Sequence, residues 1–425
     1  MRKTNYFLFL FLSAFGYSQN IIWQKSFGSI KDEFSYAIQA ASTGGFVIAG
    51  STESPTNPTF NGTKGMNDFF LVKTGDNGNQ SYNQSFGGTM NDEITSIVEY
   101  SNNIVMAGAS TSSDMDVTAN HGEMDAWIVN FYNGSIAWRN NYGGSHYDRI
   151  SSLKRTVDGG FVFAGATEST DGDLSFKTTS VTDGWIVKLN STGGIVWQKV
   201  LAAIPDVNQS TTANAVEPTT DGGYIIAGNG VRTFEERTDL QLWVAKLDSA
   251  GNTEWSKVYD GDDDDEATSV LQTSDGGYII AGYTKTTNNL GDIPTATPGI
   301  KYWILKLDAS GNTTWSKTYS GSLSNFARSI IQTADGGYIV AGDSYSDAEN
   351  YEGSRDYDYY VIKIDSSGNV QWQKKYGGSG LDRAFSIIQA PDGNYVVTGY
   401  SDSTDGDITS NNGGFDIWTI KINGN

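Results

Sequence analysis

The sequence predicts an all-β protein, a seven-bladed β-propeller of four-stranded antiparallel blades closed by its N-terminal strand. Three observations predict it. First, a phrase repeats: "TSDGGYIIAGYT" at 273–284 returns as "TADGGYIVAGDS" at 333–344 and "TTDGGYIIAGNG" at 219–230. Second, the Gly of its "AG" recurs at Gly50, Gly108, Gly165, Gly228, Gly282, Gly342 and Gly399, with spacings of 58, 57, 63, 54, 60 and 57 residues. Third, tryptophan keeps the same beat. One set is Trp23, Trp138, Trp197, Trp255, Trp315 and Trp372; the other is Trp127, Trp185, Trp243, Trp303 and Trp418, with Phe70 and Tyr360 in the same slot.

Each unit reads as four strands, A to D. In the fifth unit "ATSVLQT" is A, "DGG" is a tight turn in which Gly supplies positive φ, and "YIIAGYT" is B. A long polar loop leads to "YWILKLD", strand C, and "ASGN" turns the chain into "TTWSKTY", strand D. Runs bounded by Gly, Asn, Asp and Ser are hairpin strands, and no helical period survives a whole unit. The two Trp sets fall on strands D and C, where stacked sheets need large flat side chains. They read as structural core, not as a cofactor box or a sugar-stacking row.

An open stack of such sheets would leave unpaired edges. The seventh unit stops after "IWTIKINGN", short of a strand D, while "NIIWQKSFG" near the N-terminus is a strand D with no unit before it. The N-terminal strand is therefore expected to complete the last blade. Ahead of it, MRKTNYFLFLFLSAFGYSQN has a basic start (Arg2, Lys3), a short apolar run and small residues Gly16 and Ser18 before a cut at Gln19. Residues 1–18 read as a secretory signal peptide and 19–425 as a single propeller domain, with no transmembrane segment in the mature chain.

The phrases "WQKSFG", "DGGYIVAG", "YWILKLDASGN" and "WQKKYGGSG" resemble a repeat of exported proteins of Gram-negative bacteria with a type IX secretion system. The likeness spans residues 20–425 and implies an exported propeller without naming an activity. Cargo of that system carries an extra C-terminal sorting domain. This sequence ends at Asn425 in the last unit, which favours a periplasmic resident, or export by another route, over ordinary cargo. "LDSAGNTEW" at 247–255 is also similar to the Trp-docking turn of quinoprotein-type propellers and of the outer-membrane assembly propeller, with a gap one residue shorter.

The net charge is −21. Such a surface repels nucleic acid and anionic lipid heads; it also keeps an exported protein soluble. Cysteine is absent, so there is no disulfide, no thiolate site and no lipid-anchored signal. His121 and His146 sit in loops, outside any metal-binding spacing, and no GxSxG or phosphate-loop motif occurs.

Strand alternation puts the short A–B and C–D turns on one face and the long, varied B–C and D–A loops on the other. Function on repeat scaffolds sits on varied loops, so the second is the candidate binding face. It is acidic. "DGDDDDE" brings Asp262, Asp263 and Asp264. Three B–C loops bring Asp114 and Asp116, Asp171 and Asp173, and Asp405 and Asp407. Asp alternating with Gly supplies oxygen ligands for Ca²⁺ or caps its own loop as an Asx-turn, and the bland reading outweighs the metal one. Two residues recur in most units: an Asp opening strand A (Asp32, Asp92, Asp148, Asp265, Asp382) and a Lys in strand C (Lys73, Lys188, Lys246, Lys306, Lys363, Lys421). Repetition points to locks between strands or blades, because an active site needs asymmetry.

The sequence thus points to a non-catalytic exported interaction module that needs no cofactor and is monomeric on its own. Its partner is a protein, with an outer-membrane β-barrel of a secretion translocon as the concrete case and an accessory or plug as the role. The location is periplasm, or alternatively the cell surface. The competing reading is a carbohydrate-active or Ca²⁺-dependent hydrolytic propeller, which requires convergent carboxylates near the central channel.

Overall fold

In the computed structural model, residues 19–53, 64–203, 209–234, 237–286, 291–293, 298–321, 324–345 and 356–424 are described, and each sequence unit forms one four-stranded sheet. There are seven sheets. Residues 1–18, read above as a signal peptide, lie outside the described residues.

Blade 5 shows why these residues make these strands. It runs through A (Asp265–Gln272), B (Tyr278–Thr284), C (Lys301–Leu307) and D (Thr313–Tyr319). Strands B and C are buried almost throughout, because a neighbouring blade covers each face. They therefore read as unbroken apolar runs, not as alternation. Strand A alternates, with one face on the central channel. Strand D is the half-exposed outer edge, which is why "TTWSKTY" can be polar.

The recurring "AG" has a packing cause. Strand A carries a β-bulge, seen as a register shift between Ala267 and Ser269 in blade 5 and at the matching place in the other blades. The bulge pushes a carbonyl onto strand B. A Cβ on Gly282 would stand 1.8 Å from Glu266 O; on Gly50, 1.8 Å from Phe34 O; on Gly228, 1.9 Å from Thr212 O. Only glycine fits beneath that carbonyl.

The two Trp sets do different jobs. Those on strand C are fully buried. Those on strand D are half-buried wedges that dock under the C–D turn of the next blade. A Cβ on Gly251 would lie 3.0 Å from Trp197, and one on Gly311 would lie 2.9 Å from Trp255. Tyrosine hydroxyls at the end of strand D reinforce the dock: Tyr142 donates to Gly193 O at 2.6 Å and Tyr319 to Gly368 O at 2.7 Å.

The ring closes as the termini suggest. The N-terminal strand (Ile21–Phe27) pairs antiparallel with strand C of blade 7 (Asp416–Ile422), from Ile21 opposite Ile422 to Phe27 opposite Ile417. Gln24 Oε1 accepts the Trp418 indole N–H at 3.0 Å. Trp23 donates to Asp76 O of blade 1 at 3.1 Å, and Gln19 O accepts from Tyr376 of blade 6 at 3.1 Å. One strand thus ties three blades together.

The strand C lysines are locks within blades. Lys188, Lys246, Lys306, Lys363 and Lys421 pair with Asp158, Asp221, Asp275, Asp335 and Asp392 of the A–B turns at 2.6–2.9 Å. Lys73 lies beside a turn, "STGG", that has no such Asp. The acidic start of strand A is also structural, with one correction. In blade 1 the strand opens with Glu33, not Asp32. Glu33 is buried and takes the bonds that Asp92, Asp148, Asp265 and Asp382 take elsewhere.

Candidate functional site

The B–C and D–A loops do lie together, and the predicted aspartates are what hold them. In blade 3, Asp171 Oδ1 accepts Ser145 N at 2.7 Å and Asp173 Oδ2 accepts Gly143 N at 3.1 Å. Blade 7 repeats this with Asp405 on Ser379 N at 2.7 Å and Asp407 on Gly377 N at 3.3 Å. Blade 2 repeats it with Asp114 on Thr89 N at 2.8 Å and Asp116 on Gly87 N at 3.4 Å; Asp116 also pairs with Lys64. The residue between each pair has positive φ: Gly172 at 55°, Gly406 at 66° and, less comfortably, Met115 at 53°. An apolar residue follows and is buried: Val117, Leu174 or Ile408.

These carboxylates therefore cap the neighbouring loop, not their own, which corrects the Asx-turn reading. In the acidic D–A loop, Asp264 Oδ1 accepts Leu240 N at 3.0 Å and the same carboxylate pairs with Lys285. Asp263 Oδ1 accepts Asp264 N at 2.8 Å, and Asp262 N donates to Thr286 at 3.2 Å. Among the described residues, no three His, Asp or Glu side chains are grouped so that they could hold a metal ion. His121 hydrogen-bonds Asp125 at 2.7 Å.

Beneath the clamps lie buried carboxyls in pairs, one from the start of strand C and one from the start of the next blade's strand A. A Cβ on Gly87 would stand 2.2 Å from Asp68 Oδ1 and 2.5 Å from Asp92 Oδ2; on Gly377, 2.2 Å from Asp358 Oδ1 and 2.7 Å from Asp382 Oδ2; on Gly28, 2.0 Å from Asp416 Oδ1 and 2.8 Å from Glu33 Oε2. Burial pushes Asp68, Asp92, Asp382 and Asp416 up to about 6, and Glu33 and Asp358 to about 7, against hydrogen bonds that act the other way on most of them. Each pair flanks a glycine, where any side chain would meet both carboxyls.

Asymmetry appears where strands A and B open onto the channel. One side chain per blade projects at its middle: Tyr36, Thr95, Ser151, Asn214, Thr268, Arg328 and Phe385. They bound a cavity of about 360 Å³ that continues into a mouth of about 590 Å³. On the flank of blades 5, 6, 7 and 1, aromatic rings run in contact. Tyr283 meets Phe326 at 5.0 Å, Phe34 meets Tyr400 at 4.9 Å, and Tyr400 meets Phe385 at 5.4 Å and Phe415 at 5.3 Å. Arg383 lies 4.9 Å over Tyr357, and both Arg383 and Arg328 face the buried Asp343. The flank of blades 2 and 3 has Ala109, Ala126, Ala166 and Gly184 in the matching places. Glu93 and Glu266, the carboxylates at the mouth, come from blades 2 and 5, and Glu266 is held by Tyr283 at 2.8 Å.

The sequence reading missed this channel set. Its signal was present: the third residue after the start of strand A takes six different identities in seven blades, with Thr shared by Thr95 and Thr268, while the residues on either side of it are all Ala, Ser or Ile.

No protein-family model matches the sequence, and no curated protein matches it. Solved structures to which the chain is similar include BBS1N in complex with ARL6DN, at 10% identity and a TM-score of 0.49, covering 94% of this chain and 96% of that one. Sqt1 from Chaetomium thermophilum matches at 13% identity and 0.45, covering 90% and 82%. A subtype N11 neuraminidase-like protein of a flat-faced bat isolate from Peru matches at 11% and 0.43, covering 95% of each. At these identities the likeness concerns fold alone.

Proposed function

We propose that this chain is an exported, non-catalytic propeller that holds a protein partner on its B–C/D–A face. The observation that carries the reading is the one-sided flank of half-buried Tyr and Phe interleaved with Arg328 and Arg383. Tyr and Arg at the centre of a rigid, partly desolvated surface are the chemistry of interface hot spots. The Asp405 and Asp407 clamp of blade 7 and the buried Asp343 that both arginines face hold that surface in place, so little ordering cost accompanies binding. In the setting the repeat resembles, the partner is an outer-membrane barrel of the secretion translocon, and the propeller serves in the periplasm as an accessory or plug.

The test is recovery of the tagged native protein from detergent-solubilised envelopes, with partners identified by mass spectrometry. A stoichiometric outer-membrane barrel, lost when Arg383→Ala and Tyr357→Ala are combined, is the expected result. Recovery of the protein alone as a soluble monomer would overturn the docking role.

A further inference from the structure

Arg328 is the one charged residue among the seven that project into the middle of the channel. Its plane is fixed on three sides. Nε donates to Asp343 Oδ1 at 3.1 Å, and the guanidinium lies 5.4 Å from the Phe326 centroid and 5.3 Å from that of Phe385. Asp343 is wholly buried, so it cannot swing away, and Arg383 shares it at 3.7 Å. This consumes one of five guanidinium donors. The terminal nitrogens have no hydrogen-bond acceptor among the described residues, and the side chain keeps 24% of its exposure, on both cavities. Two more donors on the same cavity are unspent: the hydroxyls of Tyr36 and Ser151 make no hydrogen bond among the described residues. Burial raises the Tyr36 phenol well above its ordinary value, so it stays a donor.

We propose that the central channel is a carboxylate-binding site, with Arg328 as its fork and Tyr36 and Ser151 as auxiliary donors. A guanidinium held flat with its outer edge open matches two carboxylate oxygens. One negative charge suits the place. Arg149, Arg328 and Arg383 balance Glu93, Glu266 and Asp343 there, so a monoanion meets a locally neutral mouth on an otherwise acidic disc, while a dianion such as phosphate meets the acidic groups too. The carboxylate belongs either to a free small acid or to an acidic side chain inserted by a partner. The site stands on the channel's own geometry and does not depend on the outer-membrane reading.

Calorimetry with the purified mature protein tests it, using acetate, a monoanion, as one probe and a blocked Gly-Glu-Gly peptide as the other, with Gly-Gln-Gly as control. Binding of acetate alone identifies a free acid; binding of the Glu peptide alone identifies an inserted side chain. In either case Arg328→Gln is expected to weaken binding at least tenfold, with Arg328→Lys in between because it keeps charge and loses the fork. Removing Arg328 leaves Asp343 partly unpaired, so the fold has its own control. Ser151→Ala breaks no hydrogen bond and is expected to weaken binding a few-fold at unchanged melting temperature. No binding of either probe at millimolar concentration, equal binding of the Gln peptide, or undiminished affinity in Arg328→Gln would each overturn the proposal.

Discussion

The two faces of the ring use aspartate in opposite ways. On the A–B/C–D face, Asp158, Asp221, Asp275 and Asp335 are half-exposed. Partial burial works against their ionisation, yet the turn Thr hydroxyl, a Lys ammonium and a backbone N–H hold them down at about 2. On the B–C/D–A face, the paired carboxyls at the strand starts are buried and pushed up to about 6–7. One face spends charge on exposed ion pairs; the other buries acid groups against glycine. The difference teaches where the structure is insured. The first face repeats one cheap device five times, so each copy is dispensable. The second stores its stabilisation in buried contacts and carries the asymmetric mouth on top of them.

The comparison breaks most completely when the ring is opened. Deleting residues 20–28 removes the outer strand of blade 7, Trp23 from its dock in blade 1, and the bonds from Gln24 to blade 7. Both faces lose registration at once, and strand C of blade 7 becomes a buried edge with unmet backbone groups. The deleted protein is expected to unfold or to associate through that edge, seen by circular dichroism and gel filtration. A folded monomer with wild-type melting would refute closure by this strand.

The next largest effect separates packing glycines from turn glycines. Gly282→Ala places a Cβ against Glu266 O with nowhere to go, and is expected to cost about 2–4 kcal/mol. Gly276→Ala has open space around it and only an unfavourable φ of 84°, so about 1 kcal/mol is expected. Denaturant midpoints of the two variants give the ratio. Equal losses would mean that φ, not the bulge carbonyl, preserves the "AG".

Why the "AG" repeats is also where sequence reading reached its limit. The period, the strand assignment and the closure by "NIIWQKSFG" were legible because each rests on local pattern: apolar runs, Gly turns, one Trp per strand. The bulge was not, since a one-residue register shift leaves no mark on the strand that carries it, only on the glycine opposite. The DGD aspartates were legible as loop residues, but their partners sit about 26 to 30 residues away on another loop, beyond any local rule. Arg328 carries no local mark that sets it apart from the other residues of its strand. Its meaning needed seven strands brought around one axis.

The acid pairs predict a pH dependence of unusual sign. Their folded values lie above the unfolded ones, so their stabilising contribution is complete below about pH 4 and is lost as pH rises through 6–7. The melting temperature is expected to fall by a few degrees from pH 5 to pH 8. Asp92→Asn removes one member of the Asp68 pair and is expected to flatten part of that slope, by about 1–3 kcal/mol across the interval. The exposed aspartates at about 2 act oppositely, but only below about pH 4, outside this window. Melting that rises from pH 5 to 8 would show the pairs to be relieved by some contact other than a proton.

The smallest effect is expected on the opposite face. Lys306→Met keeps the buried stem and deletes the ammonium, which reaches Asp275 at 2.9 Å and Leu307 O at 3.2 Å. Asp275 is 63% exposed and keeps the Thr273 hydroxyl and Gly277 N–H, so water and the turn satisfy it once the lysine is gone. Breaking a pair is costly when it strands a buried charge, and here none is stranded. A loss of no more than about 1 kcal/mol in the denaturant midpoint is expected, with no change in the slope of melting against pH between 5 and 8. A loss as large as that of Gly282→Ala would invert the comparison, because the exposed face would then be holding the ring. With the small loss, five copies of the pair are five small contributions, and the ring stands on its wedges, its bulges and its buried acids.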